Sequence, residues 1–531
     1  MHTLDRRTFL RTTAAGAAGV ALAPLLKANI FTLSQEESSY AEGYVFHDMD
    51  QSGKKGNNPG VGGVCVSNGV DVVRTGRDGK WRLPVRDGSV LFVVKPTGWA
   101  VPVNDDNLPQ FYYIHRPNGS PKFRFPGTEP TGPLPASIDF PLYKQKEDPK
   151  FRVVLFGDTQ PRNQKEIDYM AHDVIAQVAS EAKEVGAVFG INLGDELFDD
   201  LSLFGSLNRT IAQIGLPWYN VVGNHDLNFD APSNELSTET FKKHYGPVCF
   251  AWEYSKVHFI AINDVVWHGL AGGYHGEIPR EQLDFVKNYL KMVPKDRLVV
   301  ISLHIPLDDC KNAAELFHLI DDREHTVSFS AHTHVMAQIF FDEKSGWRGK
   351  NPHHHLNHAT VCGCWWGGHP DERGIPHATM SDGVPNGYSI MEFEGVKYKQ
   401  QFRAASRPAE DQMLIWMPEE VKQIEAASTE VLVNVYAGGS KSVVQMRVGD
   451  GSWLTMNPTL REDPHYAKLK QSEFGKTPVP GFNRLPNPSK CDHIWVGNLP
   501  RLDIGTHRVE VHTRDMYGQE FTQSRLVRVV G

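Results

Sequence analysis

The sequence is poor in cysteine, in runs of one charge and in long apolar stretches. Its six cysteines in 531 residues are too few and too scattered for a disulfide scaffold, which excludes the small cystine-rich folds. No lysine and arginine cluster stands out against a net charge of -8, so we expect no nucleic-acid partner. Beyond the N-terminus, no apolar run is long enough to span a bilayer. What is left is a globular composition, 40% hydrophobic, in a chain long enough for about three domains.

Residues 1–35 have the features of an export signal. Arg6 and Arg7 precede a run of small and apolar residues between Thr12 and Leu26, and the arginine pair resembles a twin-arginine signal. The alternative is an uncleaved membrane anchor, but the run is shorter than the roughly 20 residues of a spanning helix and contains Pro24. We therefore expect an exported protein, periplasmic or extracellular, whose mature chain has no transmembrane segment.

Two segments, residues 40–145 and 408–531, have the pattern of β-sandwich domains. In both, short β-rich runs are separated by glycine, asparagine, aspartate and proline. Asn68-Gly69 and Asp78-Gly79 in the first segment are typical hairpin-turn pairs. The first segment resembles the transthyretin-like and Cna-B-like modules of exported bacterial proteins, and the second predicts an Ig-like sandwich.

A polar loop in the first segment resembles the start of a calcium-binding loop. Asp48, Asp50 and Ser52 alternate along it and Gly53 follows, but Pro59 stands at the twelfth position, where such loops carry a bidentate glutamate. The sequence leaves two interpretations open, a calcium site and an ordinary polar turn.

Between these segments, residues 150–402 alternate between apolar runs and stretches of helical period. Continuous apolar runs at residues 152–156 and 298–302 predict strands that are covered on both faces. Helical period between Lys165 and Val185, and between Pro279 and Met292, predicts connecting helices. This alternation is typical of an α/β domain with a largely parallel sheet.

Polar residues follow five of the predicted strands of this central segment. In an open α/β fold the carboxyl ends of the strands meet where ligands bind, so five such groups are expected to form one site. The two histidines of the last group lie two residues apart, which places both rings on the same side of an extended chain. The groups are Asp158-Thr159-Gln160, Gly194-Asp195, Gly223-Asn224-His225-Asp226, His304 and His332-Thr333-His334.

The order of these groups resembles the motif series of the calcineurin-like metallophosphoesterase superfamily. That series reads D-x-H, GD, GNH followed by an acidic residue, a single H, and GHxH, and it matches here from Phe151 to about Ala337. The flanking β modules, together with the stretches 362–368 and 382–388, resemble a bacterial exported subset of the superfamily. The resemblance implies an α/β fold, a four-layer α/β/β/α metallophosphoesterase sandwich flanked by two β-sandwich domains.

The resemblance also implies a dinuclear site for two divalent metal ions, Mn, Fe or Zn. Two such ions clamp an in-line displacement at phosphorus, and a water that bridges them would be the nucleophile. By this resemblance, Asp195 would bridge the ions. The remaining ligands would be Asp158, Gln160 and His334 for the first ion and Asn224, His304 and His332 for the second.

Two further residues have catalytic roles by the same resemblance. His225 would act as general acid toward the leaving group or stabilise charge on the phosphoryl oxygens. Asp226 would orient His225 through the second ring nitrogen. Gln160 departs from the motif, which commonly has histidine there. A carbonyl oxygen ligand favours metals such as Mn²⁺ over Zn²⁺, so the identity of the first metal stays open.

Three residues beyond the last motif are candidates for substrate binding. Trp365 and Trp366 would form an apolar wall for the organic part of a substrate, or else pack against the C-terminal module. His355 belongs to the run of three histidines that begins at His353. This run either reaches the metal site or, as we expect, forms a solvated or locally hydrogen-bonded loop.

The sequence therefore predicts metal-dependent hydrolysis of a phosphomonoester or phosphodiester outside the cytoplasm. We expect a small-molecule substrate, or a lipid or sugar phosphoester, because the acidic balance argues against nucleic acid. Two alternatives stay open: a surface-binding or glycan-binding protein on a weakly catalytic scaffold, and a phosphoprotein phosphatase. The ligand set argues against the first, since a degenerate scaffold would have lost several positions and only Gln160 is unusual.

Overall fold

A computed structural model gives the structure of residues 39–473 and 483–531. The export signal predicted for residues 1–35 lies outside these described residues and stays a prediction. Among the described residues, no helix combines the length and the apolar character needed to cross a lipid bilayer.

The N-terminal strands form two sheets of four strands each. The strand β4 (Lys80–Val85) shows why they fold this way, since its residues Trp81, Leu83 and Val85 alternate with more exposed residues and point into the core. The strands are β1 (Ser39–His47), β2 (Cys65–Ser67), β3 (Val72–Arg74), β4 (Lys80–Val85), β5 (Val90–Val93), β6 (Trp99–Ala100), β7 (Tyr112–Ile114) and β8 (Phe140–Lys144). Their orders are β4-β1-β8-β6 in one sheet and β3-β2-β5-β7 in the other.

The two predicted turn pairs have different surroundings in these sheets. Asn68-Gly69 lies in the hairpin between β2 and β3, where Ser67 pairs with Val72. Asp78-Gly79 precedes β4, but β4 pairs with β1 and not with β3, so this turn passes the chain from one sheet to the other.

The loop after β1 is a polar turn stabilised by its own hydrogen bonds. The carboxylate of Asp48 accepts hydrogen bonds from the backbone N–H groups of Ser52 and Gly53. Asp50 accepts one from the side-chain amide of Asn58, and the Lys55 ammonium donates to the Asn58 carbonyl. The loop is thus an ordered polar turn held by its own side chains, and a calcium site in it stays a prediction.

The central part of the chain contains thirteen strands and six α-helices. Helices α1 (Gln164–Met170) and α2 (Ala176–Val185) form one continuous helix through a π-helical turn at Ala171–Ile175. The strands are β9 (Lys150–Phe156), β10 (Ala187–Asn192), β11 (Trp218–Asn220), β12 (Phe250–Tyr254), β13 (Val257–Ala261), β14 (Val265–Trp267), β15 (Tyr274–Gly276), β16 (Leu298–Ser302), β17 (Thr326–Ser330), β18 (Ala337–Phe341), β19 (His353–Asn357), β20 (Gly387–Glu394) and β21 (Lys397–Ala404). The helices are α1 (Gln164–Met170), α2 (Ala176–Val185), α3 (Phe204–Ile211), α4 (Glu239–Tyr245), α5 (Arg280–Leu290) and α6 (Ala313–Ile320).

These elements form the four-layer α/β/β/α sandwich that was predicted. One sheet has the order β11-β10-β9-β20-β21 and the other β12-β13-β16-β17-β19-β18. The sheets face each other through aromatic side chains, with the rings of Tyr219 and Trp252 stacked at 4.2 Å. On β9, Val153 and Leu155 are buried in this inter-sheet core, while Val154 and Phe156 belong to the core beneath the helices of the first sheet. Coverage on both faces explains the continuous apolar runs.

The C-terminal strands form a sheet of four strands and a sheet of five. Val433, Trp495, Val509 and Val527 are buried in the core that they share. The strands are β22 (Met413–Trp416), β23 (Glu420–Lys422), β24 (Glu430–Val435), β25 (Val443–Val448), β26 (Leu454–Thr455), β27 (Asn457–Glu462), β28 (Lys490–Asn498), β29 (Gly505–Arg514) and β30 (Glu520–Val530), and helix α7 (Pro464–Ser472) follows β27. Their orders are β22-β24-β28-β27 and β23-β30-β29-β25-β26.

The run of three histidines is a buried strand, so the expected loop, solvated or locally hydrogen-bonded, was wrong. His353 and His355 lie in β19, beside β17, and hydrogen-bond through their rings to the hydroxyl of Ser328. The hydroxyl of Ser330 hydrogen-bonds to the second ring nitrogen of His355. Burial lowers the pKa of His353 to about 3, so the ring is neutral at physiological pH and is accommodated inside the sheet.

A buried ion pair connects the central sandwich to the C-terminal sheets. His493 of β28 lies 3.3 Å from the carboxylate of Asp382, just before β20, and both side chains are fully buried. The other ring nitrogen of His493 lies 2.9 Å from Asn434 Oδ1. Burial by itself would lower the pKa of His493, but the Cys491 and Asp382 side chains raise that pKa well above its usual value.

Replacing His493 with alanine is expected to destabilise the protein by about 3–5 kcal/mol, because Asp382 would remain buried without its counter-charge. The wild-type pair contributes fully below the unfolded-state pKa of about 6.5 and is lost as the pH rises through the raised folded-state pKa. The unfolding midpoint of the variant, measured in urea, should therefore differ most from the wild type at acidic pH. His318→Ala, at an exposed position of α6, serves as the control. If both variants lowered the urea midpoint of unfolding by the same small amount, the prediction would be contradicted.

Candidate metal centre

The polar groups that follow five strands meet at one place between the two sheets. Near the second sheet, Asp195 Oδ1 lies 3.4 Å from His304 Nε2, and this nitrogen lies 3.1 Å from His332 Nδ1. Asn224 Oδ1 is 3.1 Å from the same His304 nitrogen. The loops after β10, β11, β16 and β17 thus bring four of the seven predicted ligands into direct contact.

The other predicted ligands lie on the opposite side of Asp195. Asp158 Oδ2 is 3.2 Å from His334 Nε2, and the His334 Nδ1–H donates to the Gly363 carbonyl, which turns Nε2 toward Asp158. The side-chain amide of Gln160 donates to Asp195 Oδ2 at 2.9 Å. In this orientation the Gln160 carbonyl oxygen faces Cys362 Sγ at 3.6 Å, so a half-turn of the amide is needed before it can act as a ligand.

Two glycines allow the strand-end loops to approach so closely. A Cβ on Gly223 would lie 2.0 Å from the backbone nitrogen of Asp195. Gly194 has a φ of +96°, and a Cβ there would lie 2.6 Å from His304 Nδ1. The glycines of the GD and GNH motifs are therefore packing requirements of the site.

The backbone at the site is strained. Six non-glycine residues of the strand-end loops adopt positive φ, a conformation that costs on the order of 1–3 kcal/mol at each residue and concentrates at functional sites. They are Asp158, Gln160, Asp195, Asp199, His332 and His334.

The charges of the site are unevenly distributed. Burial would disfavour a charged Asp195, but the neighbouring His304 and His225 hold the pKa of this carboxyl below its usual range. Burial opposes the protonation of His304 as well, yet the Asp195 carboxylate raises its pKa to about 10. Burial and the charge on His304 together lower the pKa of His332 to about 4. One imidazolium and one neutral imidazole thus lie beside a carboxylate.

This set of side chains fits a divalent cation. Asp195, His304 and His332 offer one ligand atom each within 4.8 Å of one another. Asp158 Oδ2 is buried and lacks a well-directed hydrogen-bond donor among the described residues. Carboxylate oxygens and imidazole nitrogens are ligands of Zn, Mn and Fe. A cation would replace the positive charge that His304 carries here, with release of the ring proton.

His225 is held by Asp199 and not, as expected, by Asp226. The His225 Nδ1 atom lies 2.5 Å from Asp199 Oδ1, and the ring stacks on Phe198 with centroids 4.3 Å apart. Asp226 is fully buried and accepts hydrogen bonds from the backbone N–H groups of Gly223, Glu196 and Leu197. These contacts use its carboxylate to fix the loops beneath the site, and among the described residues the His225 ring hydrogen-bonds to Asp199 instead.

Asp199→Asn is expected to reduce kcat/KM by about 10–100-fold, because residues that orient an active-site histidine typically contribute this much. The amide would no longer hold the His225 Nδ1–H in a charge-assisted hydrogen bond. Steady-state hydrolysis of a phosphoester with an unactivated leaving group, the substrate class that the sequence predicts, measures the effect. Asp200→Asn is a matched control, since this neighbouring carboxylate instead accepts hydrogen bonds from Ser202. Equal activities of the two variants would exclude the orienting role.

Two more residues that the sequence did not single out support the ligands. The Asp264 carboxylate accepts the backbone N–H groups of His304 and Ile305. The Asn357 side-chain amide donates to the Thr333 hydroxyl at 2.6 Å and to the Val335 carbonyl at 2.8 Å. The turn that carries both histidines of the last motif is thereby fixed from β19.

The three residues proposed for substrate contact are placed differently from one another. Trp365 is partly exposed and its ring packs 4.0 Å from that of His334. Trp366 is buried, and its indole N–H donates to the Thr159 carbonyl, so it supports the first strand-end loop from below. The Trp365 carbonyl also accepts a hydrogen bond from Asn483, next to the C-terminal sheets. His355 is fully buried with both ring nitrogens bound to serines, which removes it from any surface that a substrate could reach.

Three family models match segments of the chain. The model of the calcineurin-like phosphoesterase family matches residues 151–336. Models of the N terminal and the C terminal of calcineurin-like phosphoesterase match residues 49–129 and 355–521. No curated protein sequence matches the chain.

Two solved structures are similar to this chain. One is a dimetal phosphatase from Danio rerio, with 14% identity and a TM-score of 0.31 over 48% of this chain and 99% of that chain. The other is a purple acid phosphatase from yellow lupin (Lupinus luteus) seeds, with 11% identity and a TM-score of 0.36 over 66% of this chain and 68% of that chain.

Proposed function

The chain belongs to the calcineurin-like phosphoesterases and is a phosphoester hydrolase, and from this premise we propose that it works with two divalent ions bound on either side of Asp195. The position of Asp195 carries the proposal. One of its carboxylate oxygens faces His304, and the other faces Gln160. A carboxylate shared between two ions needs this arrangement.

The proposed ligands divide along the same line. Asp158, His334 and Gln160 would hold the first ion, with the Gln160 amide turned to present its oxygen. Asn224, His304 and His332 would hold the second. The ions would be Mn, Fe or Zn, and the carbonyl ligand of Gln160 favours Mn at the first position.

The reaction would be hydrolysis of a phosphomonoester or a phosphodiester. The ions would supply Lewis acidity, which activates water and offsets the charge that develops on the phosphoryl oxygens. His225 would give the proton on Nε2 to the departing oxygen, while Asp199 keeps the proton on Nδ1 in place. The substrate would be a small molecule or a lipid or sugar phosphoester.

The test is metal reconstitution. Protein stripped of metal and refilled with Mn²⁺, Fe²⁺ or Zn²⁺ is assayed with p-nitrophenyl phosphate and bis(p-nitrophenyl) phosphate, and metal content is measured in parallel. We expect two ions per chain and activity that depends on them. A panel of phosphoproteins and natural phosphoesters extends the assay. Folded protein that retains two ions and cleaves neither the p-nitrophenyl esters nor any member of this panel would instead indicate a binding protein.

We further propose that the enzyme acts outside the cytoplasm. The support is the Arg6-Arg7 pair and the apolar run that follows it. The twin-arginine route exports folded proteins, which would suit an enzyme that loads its metals in the cytoplasm. Replacing both arginines with lysines should leave the protein inside the cell, and unchanged export of that variant would refute the route.

A further inference from the structure

A small hairpin beside the metal centre has one apolar face. In the antiparallel pair β14–β15, Trp267 lies directly opposite Tyr274, so both side chains project from the same face. His275, between Tyr274 and Gly276, projects from the other face, where it hydrogen-bonds to His268 and Glu277. The polar groups of the hairpin are therefore turned away from Tyr274.

The apolar face extends from a metal ligand to the surface. The Tyr274 ring packs edge-on against the ring of His332, with centroids 6.0 Å apart. Trp267 packs against Phe229 at 5.3 Å, and its indole N–H donates to the Ala231 carbonyl, which fixes the ring. Leu270 lies in the 3₁₀ turn at the tip of the hairpin. We call the four residues Phe229, Trp267, Leu270 and Tyr274 the hairpin wall.

The exposure of the hairpin wall is not explained by the fold. Phe229 is 39% exposed, Tyr274 37% and Leu270 76%, whereas Trp267 is buried, and Tyr274 contacts His332 in the centre of buried charges. Scattered single apolar residues at a surface need no explanation, but apolar residues that border a catalytic centre are typical of a ligand-binding surface.

A second border of the site differs in character. There Phe198 and Trp365 pack on His225 and His334, and the Arg162 guanidinium stacks on Phe198 and donates to the Trp365 carbonyl. A charged group thus accompanies the rings on that border, whereas the hairpin wall offers hydrocarbon and a single phenol.

We infer that the hairpin wall holds the organic group of the substrate and that this group is apolar, an aryl or hydrocarbon alcohol esterified to phosphate. The inference rests on the proposed function, because the phosphate must lie at the metal centre for its substituent to reach Tyr274. A nucleobase would need hydrogen-bonding partners at its edge, and Phe229 and Leu270 provide none. The alcohol contributes binding through contact area on the wall, so affinity should rise with apolar size.

Phosphonates test the inference by binding, without turnover. Titration calorimetry of the Mn²⁺-loaded protein compares phenylphosphonate with methylphosphonate, which share one anionic group. We expect the phenyl compound to bind about tenfold more tightly, a typical discrimination between apolar groups in an apolar site. Tyr274→Ala should reduce this ratio to within about twofold, while Tyr274→Phe, which keeps the ring, should preserve it. Tyr40→Ala, at an exposed tyrosine of β1, is the matched control.

The possible results separate the inference from the proposed function. Two results overturn the hairpin wall and leave phosphoester hydrolysis standing. One is an affinity ratio of phenylphosphonate to methylphosphonate near one in the wild type, and the other is an undiminished ratio in Tyr274→Ala. Tighter binding of a thymidine phosphonate than of phenylphosphonate overturns the apolar assignment in favour of a nucleobase. Absence of any phosphonate binding together with absence of hydrolysis refutes the proposed function itself. If Tyr274→Ala also loses the binding of inorganic phosphate, the variant Leu270→Ser, at the exposed tip of the hairpin, is measured in its place. An unreduced ratio of phenylphosphonate to methylphosphonate affinity in Leu270→Ser refutes the hairpin wall.

Discussion

Asp195→Asn is expected to release metal from the protein and to lower kcat/KM by about 10³-fold. Loss of the metal contribution amounts to several kcal/mol of transition-state stabilisation, and about 4 kcal/mol corresponds to this factor. Asparagine has nearly the same shape, but in either orientation its NH2 group would face a donor, the Gln160 amide at one position or the His225 backbone N–H at the other. The negative charge between the proposed ion positions would also be gone.

The measurement pairs metal analysis with hydrolysis of bis(p-nitrophenyl) phosphate. Asp200→Asn removes one carboxylate a few residues away and should keep both metal and activity, since its side chain contacts Ser202 outside the centre. Retention of two ions per chain by Asp195→Asn, with more than a tenth of the activity, would exclude a bridging carboxylate at this position.

His225→Gln is expected to lower kcat/KM by about 10²–10⁴-fold for an alkyl phosphoester, the range that general acid catalysis typically contributes. An alkoxide is a poor leaving group and needs a proton, whereas p-nitrophenolate leaves without one. The loss with a p-nitrophenyl ester should therefore stay below about tenfold. The geometry favours this role because the ring is fixed by Asp199, by stacking on Phe198 and by the His225 backbone N–H bound to Asp195.

Comparing the two esters separates the two roles that the sequence leaves open for His225. Equal losses would show that the ring stabilises charge on the phosphoryl oxygens, which both substrates share. His318→Gln, in an exposed position on α6, controls for the general effect of a histidine replacement. Unchanged rates with both esters would remove His225 from catalysis.

Local sequence was sufficient to locate several strands and helices of the central sandwich, whereas its four-layer arrangement was implied by the family resemblance. The runs at residues 152–156 and 298–302 are strands β9 and β16, and the helical period from Lys165 to Val185 is the continuous helix α1–α2. These segments could be predicted because burial on two faces leaves an unbroken apolar run, and helix period is a property of neighbouring residues. The interrupted, partly exposed strands of the flanking modules gave only a class of fold.

The partner of His225 could not be predicted in the same way. Asp226 is its neighbour in sequence and Asp199 is 26 residues away, yet only Asp199 contacts the ring. The deciding contacts are backbone N–H groups of Glu196 and Leu197, which capture the Asp226 carboxylate when two strand-end loops come together. A carboxylate four residues after Asp195 was the available signal, but its direction depends on the positive φ of Asp199.

The sequence by itself determined where the main strands and helices of the central segment lie, because apolar runs and helical period depend on neighbouring residues. The polar groups at the strand ends, taken in their order along the chain, indicated the class of chemistry through their resemblance to a known family. The tertiary structure decided which of those groups touch. It buried His353 and His355 beside serines of β17 and placed Trp366 beneath the site. It also placed Tyr274 against His332. Such contacts join residues tens of positions apart, and their energies depend on burial and distance, which exist only once the two sheets have packed.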